Sequence, residues 1–457
     1  MRINNIELDN TQMEAIKSES KSVLVIAGAG SGKTLTIQGK VKYLIEEKKL
    51  KEDEILCISF TNETVNNLKE KLLKIGYDIE VLTFHKLGLK FLENNYIITN
   101  NSTLPFIIDE YFRSYITHNN KYLKIFKRLF FNDSNINNLL KSNFYKRLKS
   151  TIYTFIKLSK SNALEEKDIY RLYKKSLFHE KIMIKYILDI YHLYNIELKS
   201  NNSIDMDDII IKGTNAVKNY KLKYKYIIID EFQDSSLIRL NLIKEIIKYT
   251  DASLFVVGDD FQSIYRFSGS NLNIFINFKD YFKDTKYYHL KYTYRNSNEL
   301  IHVSANFIMK NKKQLKKDIV SNKNVNKPIV LLFNYTIDDA LKLTGKDNTL
   351  ILGRNNKDIN NINFDNKLTI HKSKGLEEEN VIIVNSENIP SKIKSEKIFK
   401  LIQNDKEYIP YEEERRIFYV ALTRTKNKVY ILVNKPSIFI KEIIHDYKDY
   451  IEIKKKH

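Results

Sequence analysis

Directly after the apolar run Val23 to Ile26, and directly before a helical pattern, the chain reads Ala27-Gly28-Ala29-Gly30-Ser31-Gly32-Lys33-Thr34. Glycines at such a strand-to-helix turn let backbone N–H groups face phosphate oxygens, at a helix N-terminus whose peptide dipoles favour negative charge. In this loop Gly28, Ala29, Gly30, Ser31 and Gly32 would cradle phosphates, Lys33 would reach the β/γ-phosphates of ATP, and the Thr34 hydroxyl would bind Mg²⁺. Ala27 stands where the strict pattern has its first glycine. A second apolar run, Tyr226 to Ile229, ends in Asp230-Glu231-Phe232-Gln233-Asp234. An acid at a strand's C-terminal end is placed to hold Mg²⁺ and its neighbour to polarise an attacking water, which gives Asp230 and Glu231 those roles. By itself an acidic pair after a strand is an ordinary solvated loop; beside a phosphate loop it becomes part of an ATPase site.

These motifs sit in a longer ordered series. Leu8-Asp9-Asn10-Thr11-Gln12, Phe60-Thr61-Asn62 and Thr83-Phe84-His85 come before the acidic motif. Gly258 to Phe267, Tyr294-Arg295-Asn296-Ser297, Thr369 to Glu377 and Glu412 to Arg424 come after it. From Gln12 to about Val433 the set resembles the UvrD/Rep/PcrA class of superfamily 1 DNA helicases, and the phrases Gly258 to Gly269, Thr293 to Arg295 and Tyr419 to Arg424 resemble helicase IV within it. The resemblance implies an α/β fold of two RecA-like P-loop NTPase domains, parallel sheets flanked by helices, with a helical 1B-type insertion in the first. It implies an ATP-dependent DNA helicase that moves 3′ to 5′ on single-stranded DNA and opens single-strand/duplex junctions in repair, recombination or phage defence.

By the same resemblance Gln12 reads the adenine edge, Tyr294 stacks on adenine and Glu377 binds ribose. Gln262 senses the γ-phosphate, and Arg295 and Arg424 bring cations to it from the second domain. Phe60, Tyr265 and Phe267 resemble aromatics that stack on successive bases, a contact worth about 1 to 3 kcal/mol per base. Thr83, His85, Arg354 and His371 match positions that touch the strand. Three departures stand out. Phe267 replaces the usual Trp, Leu35 replaces an arginine that sandwiches adenine in several relatives, and Thr369 follows Arg295 by only 369 − 295 = 74 positions. That spacing leaves no room for the 2B subdomain of long relatives, and the expected organisation, unlike that of helicase IV, has no domain before the Gln12 motif. A second reading follows: a DNA-stimulated ATPase subunit that drives or gates a partner nuclease. A third, a catalytically silent nucleic-acid binding module, conflicts with the intact Lys33, Asp230, Glu231, Arg295 and Arg424.

The elements that must position these residues are legible as short Val/Ile-rich runs: Ser22 to Ala27, Ile55 to Phe60, Tyr226 to Ile229, Leu254 to Val257, Thr349 to Leu352, Val381 to Val384 and Val429 to Val433. Without polar alternation they suit parallel strands covered on both faces, and amphipathic stretches such as Thr36 to Glu47 and Glu63 to Lys74 lie between them. Tyr111 to Arg128 and Phe144 to Leu158 read as helices. Motifs and elements together divide the chain into 1–91 and 205–283 as two parts of the first domain, 92–204 as the helical insertion, and 284–457 as the second domain.

Lys+Arg 76 against Asp+Glu 56 leaves a net charge of +20 on 457 residues, which favours a polyanionic partner, nucleic acid before membrane. Tyr111 to Lys160 carries eleven Lys and Arg and eleven Phe and Tyr against one acid, Asp133. Such a surface could neutralise phosphates and stack bases; the same composition suits a bundle whose aromatics form its core and whose lysines are solvated. Lys454 to Lys456 read as a frayed tail. The single cysteine, Cys57, lies in an apolar run and reads as a buried hydrophobe, and no run approaches the length that spans a bilayer. These features point to a reducing, cytoplasmic compartment and to no membrane partner.

Overall fold

The computed structural model describes residues 1–92, 96–116, 140–176, 178–391, 402 and 411–456. The Val/Ile-rich runs become strands of two six-stranded sheets in which every neighbouring pair is parallel. The first sheet comprises β1 (Ser22–Ile26), β2 (Ile55–Ser59), β3 (Glu80–Thr83), β4 (Tyr226–Ile229), β5 (Ser253–Gly258) and β6 (Thr285–His289), in the order β6-β1-β5-β4-β2-β3. Its central strands show why their sequence lacks polar alternation. Leu24, Leu56, Ile227 and Leu254 enter one core while Val23, Cys57, Ile228 and Phe255 enter another on the opposite face. The helix Lys33–Glu46 covers the second face through Ile37, Val41 and Leu44, and the helix Leu237–Thr250 covers the first through Leu242, Ile243 and Ile246. Cys57 is fully buried, and burial pushes its thiol pKa far up.

The second sheet comprises β7 (Ile329–Phe333), β8 (Thr349–Gly353), β9 (Lys367–Thr369), β10 (Glu378–Ile383), β11 (Thr425–Val433) and β12 (Ile451–Lys455), in the order β9-β8-β10-β11-β7-β12. Helices Asn298–Ile308 and Glu412–Leu422 pack on one face, and Ile337–Thr344 on the other. All residues from Arg295 to Thr369 are described, and they include the helix Asn298–Ile308, the strands β7 to β9 and the helices Ile337–Thr344 and Asn356–Ile359.

Two expectations change. The boundary at 283/284 falls one strand early, because β6 pairs with β1 from Thr285↔Ser22 to His289↔Ile26 and belongs to the first sheet. Lys454 and Lys455 are no frayed tail: they continue β12, which pairs with β7 up to Lys455↔Phe333, and Lys456 N–H donates to the Phe333 carbonyl at 3.0 Å. Neither strand has an apolar run to announce it, since β6 and β12 are edge strands with half their residues exposed or nearly so.

Between β3 and β4 lie helices Thr103–Glu110, Asn143–Ser161, Glu166–Lys175 and Phe178–Ser200, packed around their own core. The short strands Ile97–Ile98 and Ser203–Ile204 pair in parallel where this helical unit joins the sheet domain. Tyr111, Phe112, Tyr145 and Phe155 are buried in that core, so these four aromatics pack rather than face solvent. The expected helix from Tyr111 begins at Tyr111–Ile116 and then passes outside the described residues, as do Lys121, Lys124, Lys127 and Arg128. The expected helix Phe144 to Leu158 is Asn143–Ser161.

Candidate active site

Three loops that follow β1, β4 and β5 meet at one edge of the first sheet, because the register sets Ile26 opposite Gly258 and Ile229 opposite Val256. The phosphate loop leaves β1 with Ala27 N–H donating to the Gly258 carbonyl at 2.9 Å. Gly30 (φ +72°) and Gly32 (φ +79°) adopt left-handed backbone that other residues rarely take. A Cβ on Gly30 would also lie 2.4 Å from the Arg295 Cβ, so glycine admits the second domain's closest approach. The helix Lys33–Glu46 starts at the loop's end, with Lys33 and Thr34 in its first turn.

Lys33 Nζ donates to Glu231 Oε1 at 2.5 Å. Glu231 itself holds a left-handed backbone (φ +51°), a conformation costing about 1 to 3 kcal/mol in a non-glycine residue and typical of functional turns. The two acids of this turn are driven apart. Burial, and then the charge of Glu231, pushes Asp230 up to about 6. Burial also acts to raise Glu231, but Lys33 and Lys374 outweigh it and hold Glu231 down at about 2. A buried carboxylate raised in this way is one that a bound cation would strip of its proton, so Asp230 with Thr34 fits Mg²⁺.

The second domain reaches the same edge. The Thr293 hydroxyl donates to the Ala29 carbonyl at 2.7 Å, and Tyr294 N–H to the Gly30 carbonyl at 2.9 Å. Tyr294, half exposed, donates its hydroxyl to Asp9 Oδ2 at 2.9 Å. Asp9 caps the helix Asn10–Lys17 in a reciprocal pair with Gln12, whose Nε2 donates to the Ser31 carbonyl at 3.4 Å. Gln12, the phosphate loop and Tyr294 therefore converge. Arg424, almost fully buried, donates to Gln262 Oε1 at 3.0 Å, to the Val420 carbonyl at 3.0 Å and to the Leu376 carbonyl at 3.2 Å. Burial, and then repulsion from Arg295, lowers its pKa to about 9. Arg295 donates to Glu377 Oε2 at 2.6 Å and to the Thr423 carbonyl at 3.3 Å, so Glu377, expected to bind ribose, is paired with Arg295.

Two further residues belong to this cluster. Lys374 Nζ pairs with Asp234, donates to the Gln262 carbonyl at 2.8 Å and lies 3.7 Å from Glu231 Oε2, a third cation from the second domain. Gln233 Nε2 donates to Glu231 Oε2 at 2.5 Å while its Oε1 accepts from Asp259 N–H at 2.9 Å, linking the loops after β4 and β5. Both stand inside quoted motifs; the unused signal was a lysine between a serine and a glycine, at the end of a strand facing so many acids.

The UvrD/REP helicase N-terminal domain matches residues 8–283, and the UvrD-like helicase C-terminal domain matches residues 354–436. The chain belongs to the UvrD/REP helicase family. It is 27% identical to DNA helicase IV of Escherichia coli (strain K12), over 96% of this chain and 70% of that protein. It is 31% identical to a probable DNA helicase II homolog of Mycoplasma capricolum, over 71% of this chain and 44% of the relative. With the ATP-dependent DNA helicase PcrA of Leuconostoc citreum it shares 26% identity over 68% of this chain and 40% of the relative. The chain thus spans less than half the length of the last two.

Within the family fold, the residues expected to touch a strand fall into separate groups. Tyr265, Phe267 and His371 cluster: ring centroids lie 6.1 Å apart for Tyr265–Phe267 and 5.4 Å for Phe267–His371, and the Tyr265 hydroxyl donates to the His371 carbonyl at 3.1 Å. Phe267 is 51% exposed, enough to meet a base. Phe60 packs edge-on against Phe84 at 5.3 Å with the Arg239 guanidinium 5.1 Å from its centroid. Thr83 is buried, its hydroxyl accepting from Lys86 N–H at 3.1 Å as a helix cap. Burial, and then Arg239, lowers His85 to about 4; burial, and then Arg354, lowers His371 to about 4, so both rings are neutral at pH 7. Arg354 is committed to Glu414, with Nε to Oε2 at 3.0 Å and a terminal nitrogen to Oε1 at 2.5 Å, and Glu414 is wholly buried.

Proposed function

We propose that the chain is an Mg²⁺-dependent ATPase that translocates 3′ to 5′ along single-stranded DNA and opens duplex at single-strand junctions. One observation carries the reading: Arg295, Arg424 and Lys374, all from the second domain, converge on the edge where Lys33 meets Glu231. Phosphoryl transfer spreads negative charge over oxygens that cations from more than one side must stabilise. Those three groups reach the site only while the domains are closed, which ties hydrolysis to closure and closure to movement. Gln12 and Tyr294 would hold the base, Lys33 and the loop amides the phosphates, and Thr34 with Asp230 the metal. When bound, Mg²⁺ would neutralise phosphate oxygens. Glu231, held ionised by Lys33 and Lys374, would accept a proton from the attacking water, and Gln262 would carry the state of the phosphate end to Arg424.

The test is ATP hydrolysis with and without single-stranded DNA, and strand displacement on 3′- and 5′-tailed duplexes. Stimulated hydrolysis with displacement from 3′ tails supports the reading; hydrolysis indifferent to DNA sinks it. The short span from Arg295 to Thr369, taken up by one helix, a crossing against the first domain and the strands β7 to β9 with their helices, favours a second outcome. In it, stimulated hydrolysis occurs without displacement until a partner nuclease is added.

A further inference from the structure

The phosphate loop is gripped from two sides by the second domain, and the second grip has no place in the chemistry described above. After the helix Asn298–Ile308 the chain crosses back onto the first domain. Ile319 presses so closely on the loop that a Cβ on Gly28 would lie 2.6 Å from its Cδ1. Two residues earlier, the Lys317 side chain is 3% exposed, and its Nζ donates to the Ala27 carbonyl at 3.0 Å, pairs with Asp259 Oδ1, and lies 2.7 Å from Asp260 Oδ1 and 3.8 Å from the centroid of Phe261. Asp259 and Asp260 are both fully buried. Two adjacent buried carboxylates persist only with a cation between them, since an uncompensated buried charge is strongly destabilising. The remaining oxygens are also occupied: Asp260 Oδ2 accepts from Gln314 Nε2 at 2.6 Å and Leu315 N–H at 2.8 Å, and Asp259 Oδ2 accepts from Gln262 Nε2 at 2.6 Å.

That last bond makes the cluster more than packing. Gln262 orients its amide by donating to Asp259 and thereby turns Oε1 toward Arg424. One ammonium thus touches the first carbonyl of the phosphate loop and the carboxylate that aims the Gln262–Arg424 pair. We propose that Lys317 is a positioning residue of the nucleotide site, holding the phosphate loop and the Asp259–Gln262–Arg424 chain in register as the domains close. The proposal rests on the reading of this edge as an ATP site. It assigns Lys317 no contact with nucleotide.

The test uses the full chain with Lys317→Met, and with Lys317→Met combined with Asp260→Asn, which restores the local charge balance should the single variant fail to fold. Steady-state ATP hydrolysis and amide hydrogen exchange of residues 27–31 are measured on both. The expected result for the double variant is a KM for ATP within about threefold of wild type, a kcat at least about tenfold lower, and faster exchange in the phosphate loop. Displacements near 1 Å remote from the chemistry can lower rates by about a hundredfold. A folded double variant with wild-type kcat and unchanged exchange overturns the proposal. A wild-type chain that hydrolyses no ATP overturns the ATP-site reading instead, and the exchange measurement still decides whether Lys317 orders the loop.

Discussion

At the edge of the first sheet, cations end on partners far away in sequence: Lys33 on Glu231, Lys374 on Asp234, Arg424 on Gln262. In the helical unit the pairs are nearer, and three of the other described cations face water. Lys149 pairs with Asp109 at 2.5 Å, Lys157 with Asp205 at 3.0 Å, and Lys160 with Asp205 at 2.9 Å and Asp208 at 2.8 Å, whereas Lys141, Lys146 and Arg147 are exposed. The acids that neutralise Lys149, Lys157 and Lys160 lie outside the basic stretch Tyr111 to Lys160, Asp109 just before it and Asp205 and Asp208 more than forty residues after it. A charge count along the chain therefore overstates the helical unit as a phosphate-binding surface and is blind to the catalytic edge, whose charges nearly cancel. Burial and pairing separate structural cations from those available to a polyanion.

The largest expected effect is at the catalytic edge. Lys33→Ala or Arg424→Ala should lower kcat for ATP hydrolysis by about a hundredfold or more, while thermal unfolding shows the protein still folded. Wild-type hydrolysis by the Lys33 variant would remove the assignment. Next come the buried pairs, whose loss should show in stability. Arg354→Met strands Glu414, costing about 3 to 5 kcal/mol in denaturant unfolding, whereas Lys160→Met leaves Asp205 paired with Lys157 and should cost less. Combining Arg354→Met with Glu414→Gln should recover most of that stability. If affinity for oligo-dT recovers with it, Arg354 serves the fold; if affinity stays low, it also touches the strand.

A smaller effect is set by pH. Asp230 sits at about 6, above its ordinary 3.8, so the stability it contributes is fully present below the ordinary value and is lost as pH rises through about 6. Asp230→Asn should therefore raise the nucleotide-free Tm at pH 8, with the gain fading toward pH 4, while abolishing hydrolysis. A Tm lowered at pH 8 would contradict the burial argument. The smallest effect belongs to the exposed cations: Lys146→Gln with Arg147→Gln should leave stability within about 0.5 kcal/mol and DNA-independent hydrolysis unchanged. If the pair meets the strand, the salt dependence of single-strand binding should flatten by about 0.7 per lost phosphate contact. An unchanged slope assigns both to the solvated surface.

Much of the architecture is legible in the chain because a strand buried on both faces leaves an unbroken apolar run, as in Val23 to Ile26 or Ile227 to Ile229. Edge strands leave no such trace, and so β6 was assigned to the second domain and the end of β12 to a tail. The loops bearing Lys33, Asp230 and Gln262 were equally readable, since phosphate chemistry requires particular residues just beyond strand ends. Their partners were not. Lys317 meets Ala27, and Arg354 meets Glu414, across separations at which neither residue carries a mark of the other.

By itself the sequence determined the two-block α/β order, the ordered motifs and the residues able to do phosphoryl chemistry, because those depend on local periodicity and on residue type at turns. Tertiary structure alone decided which charges are spent on one another. It paired Arg295 with Glu377, buried Arg354 on Glu414, packed Tyr145 and Phe155 into a core, and set Lys317 against the phosphate loop. Desolvation and pairing depend on what lies within a few ångströms in space, and that distance is fixed only in the folded chain.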